Sequence, residues 1–147
     1  MSEEQIKASI RGFLKAMVAG DSKQAASFLA PDVAWTGPGG TFKGAADVVA
    51  FAERIRKAVK DYRITENGMG IVVQGNTGVI EHNIAGISDG RKWEIPAICI
   101  YEFKNDKIQN MRTFYDRLSQ AQQAAGGLIA KTAVNSVVNA MEKPLRA

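Results

Sequence analysis

The sequence has few of the residues that build disulfide frameworks and metal sites, with one cysteine and one histidine among 147 residues. A lone cysteine excludes an internal disulfide. Cys99 falls within an apolar strand pattern, where an inert buried thiol is expected rather than a nucleophile. A zinc site needs several such ligands, so neither a metal nor another cofactor is expected.

Long apolar runs are also missing, since none approaches the roughly 20 residues that span a bilayer. The N-terminus lacks the basic and then apolar order of a signal peptide, so we expect a cytoplasmic protein that does not enter a membrane. The net charge of +4 is modest. Its densest basic cluster, residues 54–63, lies at the end of a predicted helix, where cations complement the helix dipole. We expect no nucleic-acid binding, because a footprint requires a larger basic patch with interleaved aromatic residues.

The length and the ordinary composition, 46% apolar and 23% charged residues, predict one globular domain over residues 1–147. Its core is expected over about residues 3–120, with a helical C-terminal extension over about 121–147. Apolar residues at helical spacing predict three helices in the first half: residues 3–19, a helix capped by Asp21 and ended by Pro31, and Gly44 to about Lys60. Between them, a short strand at 33–35 leads into a turn-rich loop at 37–40. Trp35 belongs either to the core or to a cavity wall.

The stretch from Asn67 to Asp116 reads as strands linked by tight hairpins. Gly75-Asn76 and Asp89-Gly90 are two-residue turn signals between runs rich in valine, isoleucine and aromatic residues. Counting outward from these turns places one set of side chains on a single sheet face. The predicted face comprises Met69, Ile71, Ile80, His82, Ile84, Trp93, Ile95, Ala97, Cys99, Tyr101 and Phe103.

The last hairpin, around residues 104–107, has two possible registers. A two-residue loop would place Arg112 and Asp116 on the His82 face. A loop with a bulge would place Met111, Thr113 and Tyr115 there instead.

The opposite face carries acidic residues but also Pro96, Ile98 and Ile100 together in mid-strand. A contiguous apolar patch of this kind is typical of an interface, so we expect a homodimer formed through this face. After Asp116 the chain turns helical again, breaks at residues 126–127 and continues as an apolar stripe that ends at Pro144. This last helix is expected to dock on its own domain, to join a dimer contact or to act as a lid. The predicted class is α+β, with three helices from the N-terminal half packed on one curved antiparallel sheet.

Several segments resemble the nuclear transport factor 2-like superfamily, in particular its SnoaL-like polyketide cyclase and limonene-epoxide hydrolase branch. The resemblance is carried by the order of elements and by three segments: residues 30–35 after the two helices, 42–44 before the third helix and the closing run 107–116. The resemblance covers about residues 3–120. It implies a cone-shaped α+β barrel with a cavity between the concave sheet face and the helices, and dimers through the convex face. It also favours the bulged last hairpin.

The epoxide hydrolases of this branch use an Arg and an Asp on one strand and a further Asp on the last strand. Here His82 stands at the position of the Arg, Ile84 at that of the first Asp and Thr113 at that of the second, so epoxide hydrolysis is disfavoured. The cyclases use a His and an Asp in this pocket, and only the His has an evident counterpart.

These considerations lead to two hypotheses. In the first, the protein is a cofactor-independent isomerase or cyclase in which His82 abstracts a proton beside the carbonyl of a hydrophobic small molecule. Tyr115 is then the candidate donor to the oxyanion, and Asp116 a further candidate. In the second, the protein only binds such a molecule. The expected substrate-binding residues are Trp35, Met69, Trp93, Ala97, Cys99, Tyr101, Met111 and Thr113.

Overall fold

The computed structural model describes residues 1–145, so the last two residues of the expected C-terminal extension lie outside it. Its elements alternate between helices and strands in the first half, form a run of strands in the middle and end in helices. Their bounds are α1 Glu3–Ala19, α2 Ser22–Ser27, β1 Leu29–Gly37, β2 Gly40–Lys43, α3 Ala45–Ala58, β3 Lys60–Gln74, β4 Thr77–Ser88, β5 Arg91–Lys104, β6 Lys107–Tyr115, α4 Arg117–Ala124, α5 Leu128–Glu142 and a 3-10 turn at Lys143–Leu145.

The strands form one curved sheet in the order β2-β1-β6-β5-β4-β3, which does not close on itself. The α+β class is confirmed, with α1 and α3 packed on the sheet. The sheet is mixed rather than wholly antiparallel, because β1 runs parallel to β6 while the other neighbours are antiparallel. These two strands are distant in the sequence and no hairpin joins them, so local turn signals do not fix their relative direction.

The predicted central hairpin is confirmed in register. Asp89 and Gly90 both have positive φ, at 49° and 75°, as a type I′ turn requires. From this turn, His82 pairs with Ala97 and Ile80 with Cys99. The side chains on one face of β4 and β5 are therefore buried, and His82 lies in the middle of that face with 1% of its surface exposed.

Met69 does not face His82, and this prediction was wrong. The turn at residues 75–76 and the pair Ile71–Ile80 are as expected, but β3 then bulges between Glu66 and Ile71, so that Glu66 pairs with His82. Gly68 and Gly70 adopt positive φ of 56° and 68° within the bulge, a conformation that glycine takes without steric cost. Met69 is left 82% exposed.

The last hairpin combines the two possible registers. Asn105 and Asp106 form a two-residue turn with positive φ at both positions, and Lys104 pairs with Lys107. The register shifts beyond Phe103, which pairs with Ile108, and the next pair is Glu102–Asn110. This bulge places Met111, Thr113 and Tyr115 on the His82 face, and Arg112 forms a 2.7 Å ion pair with Glu102 on the other face.

One helix end in the first half differs from expectation. The second helix stops at Ser27, and Pro31 lies inside β1 rather than ending a helix. Residues 37–40 form a turn between β1 and β2, in agreement with the expected turn-rich loop. The difference at Pro31 arises because β1 pairs with β2 and with β6, a tertiary arrangement that local propensity does not encode.

The C-terminal helices lie beside the sheet. Gln123 of α4 binds the backbone of Glu94 in β5, since its Oε1 accepts from the Glu94 N–H at 2.9 Å and its Nε2 donates to the Glu94 carbonyl at 3.0 Å. Helix α4 thus covers the part of β5 that extends beyond β6. Helix α5 packs mainly on α4. Its side chains Leu128 and Ile129 are 82% and 88% exposed.

Candidate functional site

A partly enclosed cavity of about 260 Å³ lies between the concave sheet face and helices α1, α3 and α4. Its wall is mostly aliphatic and aromatic, with a few polar groups, which is the composition typical of small-molecule sites. Helix α1 contributes Phe13 and Met17, and α3 contributes Phe51 and Ile55. None of the described residues of α5 lines this cavity, so α5 does not cover it as a lid.

Most of the predicted site residues reach this cavity. Its wall includes Trp35, His82, Trp93, Cys99, Tyr101, Thr113 and Tyr115. Ala97 and Met111 are buried on the same sheet face but do not line the cavity. Trp35 belongs to both the core and the wall.

Asp116 does not face the cavity, so its placement in the site was wrong. Its side chain caps the N-terminus of α4, where Oδ1 accepts hydrogen bonds from the backbone N–H groups of Leu118 and Ser119 at 2.9 and 3.0 Å. A carboxylate at an N-cap satisfies amides that have no partner within the helix and complements the helix dipole. The role of Asp116 in this structure is therefore local.

Four side chains form a connected polar row along the cavity wall. The Trp35 indole donates to the Thr113 hydroxyl at 2.9 Å, and the Cys99 sulfur lies 3.1 Å from that hydroxyl. The same sulfur is 3.9 Å from His82 Nε2. Burial raises the pKa of the Cys99 thiol to about 11, so the thiol is protonated at neutral pH and is a poor nucleophile.

His82 has unused hydrogen-bonding capacity. Its Nδ1 is buried, and within residues 1–145 no group meets it in hydrogen-bonding geometry. Burial lowers the pKa of His82 below its usual 6.5, and the nearby backbone of Ile80 partly opposes that shift. Because the ring is neutral near pH 7 and makes no short hydrogen bond, it can accept a proton from a bound molecule.

Three tyrosines line the same cavity: Tyr62, Tyr101 and Tyr115. Burial raises the pKa of each hydroxyl, and for Tyr115 the positive charge of Arg117 partly opposes the shift. All three are therefore protonated donors at neutral pH. Tyr101 interacts with the Cys99 sulfur. The Tyr62 and Tyr115 hydroxyls make no hydrogen bond to another residue in the described part of the chain.

Stacked aromatic rings close one side of the cavity. Trp35 meets Phe51 edge to face with centroids 5.0 Å apart, and Phe51 stacks on Phe42 at 3.8 Å. Arg54 lies 5.8 Å from the centroid of each phenylalanine ring, within the range of cation–π attraction. This packing holds the ring of Phe51 at the cavity wall.

Sequence reasoning missed Tyr62, Arg117 and Gln120, which also line the cavity. A signal existed for Tyr62, because it stands two residues before Ile64, which pairs with Ile84 on the His82 face. No comparable signal exists for Arg117 and Gln120. Their positions depend on how α4 packs against the sheet, and strand alternation says nothing about that.

The described residues contain no group of three or more His, Cys, Asp or Glu side chains that could hold a metal ion. None of their helices combines the length and the apolar character needed to cross a membrane.

The curved, unclosed sheet and the helices enclosing a cavity define the nuclear transport factor 2-like class of cone-shaped α+β folds. Residues 10–111 match the model of the SnoaL-like domain family, and the chain belongs to that family. Family membership supports a cyclase-type or isomerase-type role or a role in ligand binding. No curated protein is close enough in sequence to count as a match.

Solved structures with low sequence identity share this fold. A proposed SnoaL-like polyketide cyclase from Jannaschia sp. CCS1 is 12% identical, with a TM-score of 0.77 over 87% of this chain and 98% of the other. A nuclear transport factor 2-like protein from Burkholderia xenovorans LB400 is 22% identical, with a TM-score of 0.72 over 85% and 99%. TerC, co-crystallised with polyporic acid, is 18% identical, with a TM-score of 0.73 over 81% and 97%.

Proposed function

We propose that this protein is a cofactor-independent enzyme of the isomerase or cyclase type that acts on a hydrophobic small molecule bearing a carbonyl group. The observation that carries the proposal is a buried, neutral His82 with an unpartnered ring nitrogen on the wall of an apolar cavity.

In the proposed reaction, His82 accepts a proton from the carbon beside the carbonyl, and negative charge develops on the carbonyl oxygen. Tyr115 is the proposed donor to that oxygen, and Tyr62 offers a second hydroxyl in the same cavity. A neutral phenol in an apolar site stabilises an oxyanion more strongly than in water, because the local dielectric constant is low. Proton return to another carbon gives isomerisation, and attack of the carbanion on a second carbonyl gives cyclisation.

The alternative is a binding protein without catalysis. One observation favours it: none of the cavity-lining residues in the described chain is a carboxylate, so no acidic side chain orients His82 there. The co-crystallisation of TerC with polyporic acid supports ligand binding in this fold and agrees with either hypothesis.

Proton abstraction can be tested with 2-acetylnaphthalene, a neutral aromatic ketone, by following loss of its methyl proton signal in D2O by NMR. The wild-type protein is expected to accelerate exchange beyond buffer, and His82→Gln is expected to lower the acceleration by about 10²-fold or more, the usual range for a general base. Binding without exchange by the wild type would support the alternative. Equal exchange rates in wild type and His82→Gln would remove His82 as the base.

A further inference from the structure

The cavity carries an isolated positive charge at its mouth. Arg117, the first residue of α4, is the one charged side chain among the residues within 1–145 that line the cavity, since His82 is neutral. The side chain is exposed rather than buried.

This charge has no carboxylate partner among residues 1–145. Arg117 Nη1 donates to the Pro38 carbonyl at 2.9 Å, and no Asp or Glu of the described chain lies within ion-pair distance of it. The adjacent Asp116 is occupied with the backbone amides of Leu118 and Ser119. Arg11, Arg63 and Arg112 each have an acidic partner, whereas Arg54, Arg56 and Arg91 are exposed without one among residues 1–145 but do not line the cavity.

The neighbours of Arg117 complete a polar mouth. Gln120 lies three residues further on in α4 and lines the same cavity, as residues at this helical spacing share a face. The Tyr115 hydroxyl is also on the wall, and Arg117 acts electrostatically on it. The bond to Pro38 tethers the guanidinium and leaves its remaining N–H groups for a ligand.

We propose that Arg117 is a specificity residue that binds an anionic group of the ligand, a carboxylate being the chemistry it fits best. The guanidinium presents paired N–H donors that match the two oxygens of a carboxylate. The ligand then has a hydrophobic, carbonyl-bearing body inside the cavity and an acid group at the mouth. A position at the mouth suits an acid, because the carboxylate stays partly hydrated and avoids the full cost of burial. This inference rests on the proposed function in assuming a ligand in the cavity.

The test uses a compound with an ionised carboxylate and its neutral counterpart: 4-(2-naphthyl)-4-oxobutanoic acid and its methyl ester. Affinity is measured by isothermal titration calorimetry for the wild type, Arg117→Gln, Arg117→Lys and the control Arg91→Gln. Arg91 is exposed and does not line the cavity, so its replacement removes the same charge from elsewhere.

The wild type is expected to bind the acid more tightly than the ester, and Arg117→Gln to weaken acid binding by about 3- to 10-fold, the range for a partly exposed charge-assisted pair. Arg117→Lys should retain part of the preference, and Arg91→Gln all of it. Added salt should weaken binding of the acid but not of the ester. Unchanged ester affinity in Arg117→Gln would show that the cavity is intact in that variant.

Equal affinity of the wild type for acid and ester would overturn the role of Arg117 while leaving ligand binding and proton abstraction standing. Loss of both affinities in Arg117→Gln would also overturn it, because it would indicate a structural role for the residue. Binding of neither compound to the wild type would overturn the proposed ligand class altogether. The role of His82 as a base is tested by the separate experiment on ketone proton exchange, so a negative result for one proposal can be distinguished from a negative result for the other.

Discussion

At the scale of single residues, His82 is held by its neighbours across the sheet. Ala97 of β5 pairs with it on one side, and Glu66 of β3 pairs with it on the other. The Glu66 carboxylate is turned away to Arg11, with contacts of 2.9 and 2.7 Å. Because the Glu66 carboxylate is engaged elsewhere, burial of the imidazole dominates and lowers the pKa of His82.

This lowered pKa predicts how stability depends on pH. Below about pH 6.5 the histidine of the unfolded chain is protonated, whereas the buried His82 of the folded protein stays neutral, so unfolding takes up a proton. The free energy of unfolding therefore decreases as the pH is lowered, by about 1.4 kcal/mol per unit of pKa depression. The loss occurs between the ordinary pKa and the lower folded pKa. Urea unfolding at about pH 7.5 and 5.5 measures it. Because the sequence has one histidine, His82→Gln removes this contribution without a second imidazole to confuse it.

The opposite outcome would contradict the burial of a neutral imidazole. If the wild type and His82→Gln lose the same free energy of unfolding between these pH values, the imidazole is not desolvated in the folded protein. The carboxylates serve as the internal reference, because their titrations are common to both proteins and cancel in the comparison.

At the scale of elements, the edge of β5 beyond β6 is covered by one side chain. The Gln123 amide imitates a neighbouring strand by both accepting from and donating to the Glu94 backbone. An exposed strand edge is open to pairing with other chains. Helix α4 therefore seals the sheet as well as forming part of the cavity mouth.

Replacing Gln123 with alanine is expected to lower the free energy of unfolding by about 1–2 kcal/mol, the cost of two lost hydrogen bonds that water partly replaces. Hydrogen exchange at the Glu94 amide should speed up. The control is Gln122→Ala, one position along the same helix on an exposed side chain, for which little change is expected. Equal effects of the two substitutions would mean that α4 does not hold the edge through this contact.

The elements also show what the sequence could predict and where local patterns ended. The turn at Asp89-Gly90 specified the whole β4–β5 register, because two residues with positive φ allow few alternatives. Met69 was misplaced because nothing in the alternation pattern indicates where Gly68 and Gly70 form a bulge. Asp116 was misplaced because capping α4 competes with facing the cavity. Arg117 was missed because helix packing is a tertiary property.

At the scale of the whole molecule, the convex sheet face exposes an apolar patch formed by Pro96, Ile98, Ile100 and Phe114. Ile98 pairs across the strands with Phe114, and these side chains are 46% and 56% exposed. We propose that two copies associate through this patch. Helix α5 offers a second exposed apolar surface, so substitutions on the sheet patch and on α5 can show which of the two forms the dimer contact.

Light scattering coupled to size-exclusion chromatography is expected to give a dimer for the wild type and a monomer for Ile98→Lys, since a buried unpaired ammonium is strongly unfavourable in an interface. The matched control is Leu128→Lys on α5, 82% exposed, which should remain dimeric. A monomeric wild type would refute the association. Dissociation by Leu128→Lys alone would move the contact to α5.

A joint pH profile shows whether neutral His82 removes the proton from a bound carbonyl compound. The exchange rate of 2-acetylnaphthalene protons in D2O is measured across pH, and the His82 ring protons of the same sample are titrated by NMR. The exchange rate is expected to rise with pH along a single titration and to reach a plateau. Its midpoint should equal the pKa of His82 and lie below the usual 6.5. Exchange without a midpoint, or with one that differs from the histidine titration, would contradict this role of His82.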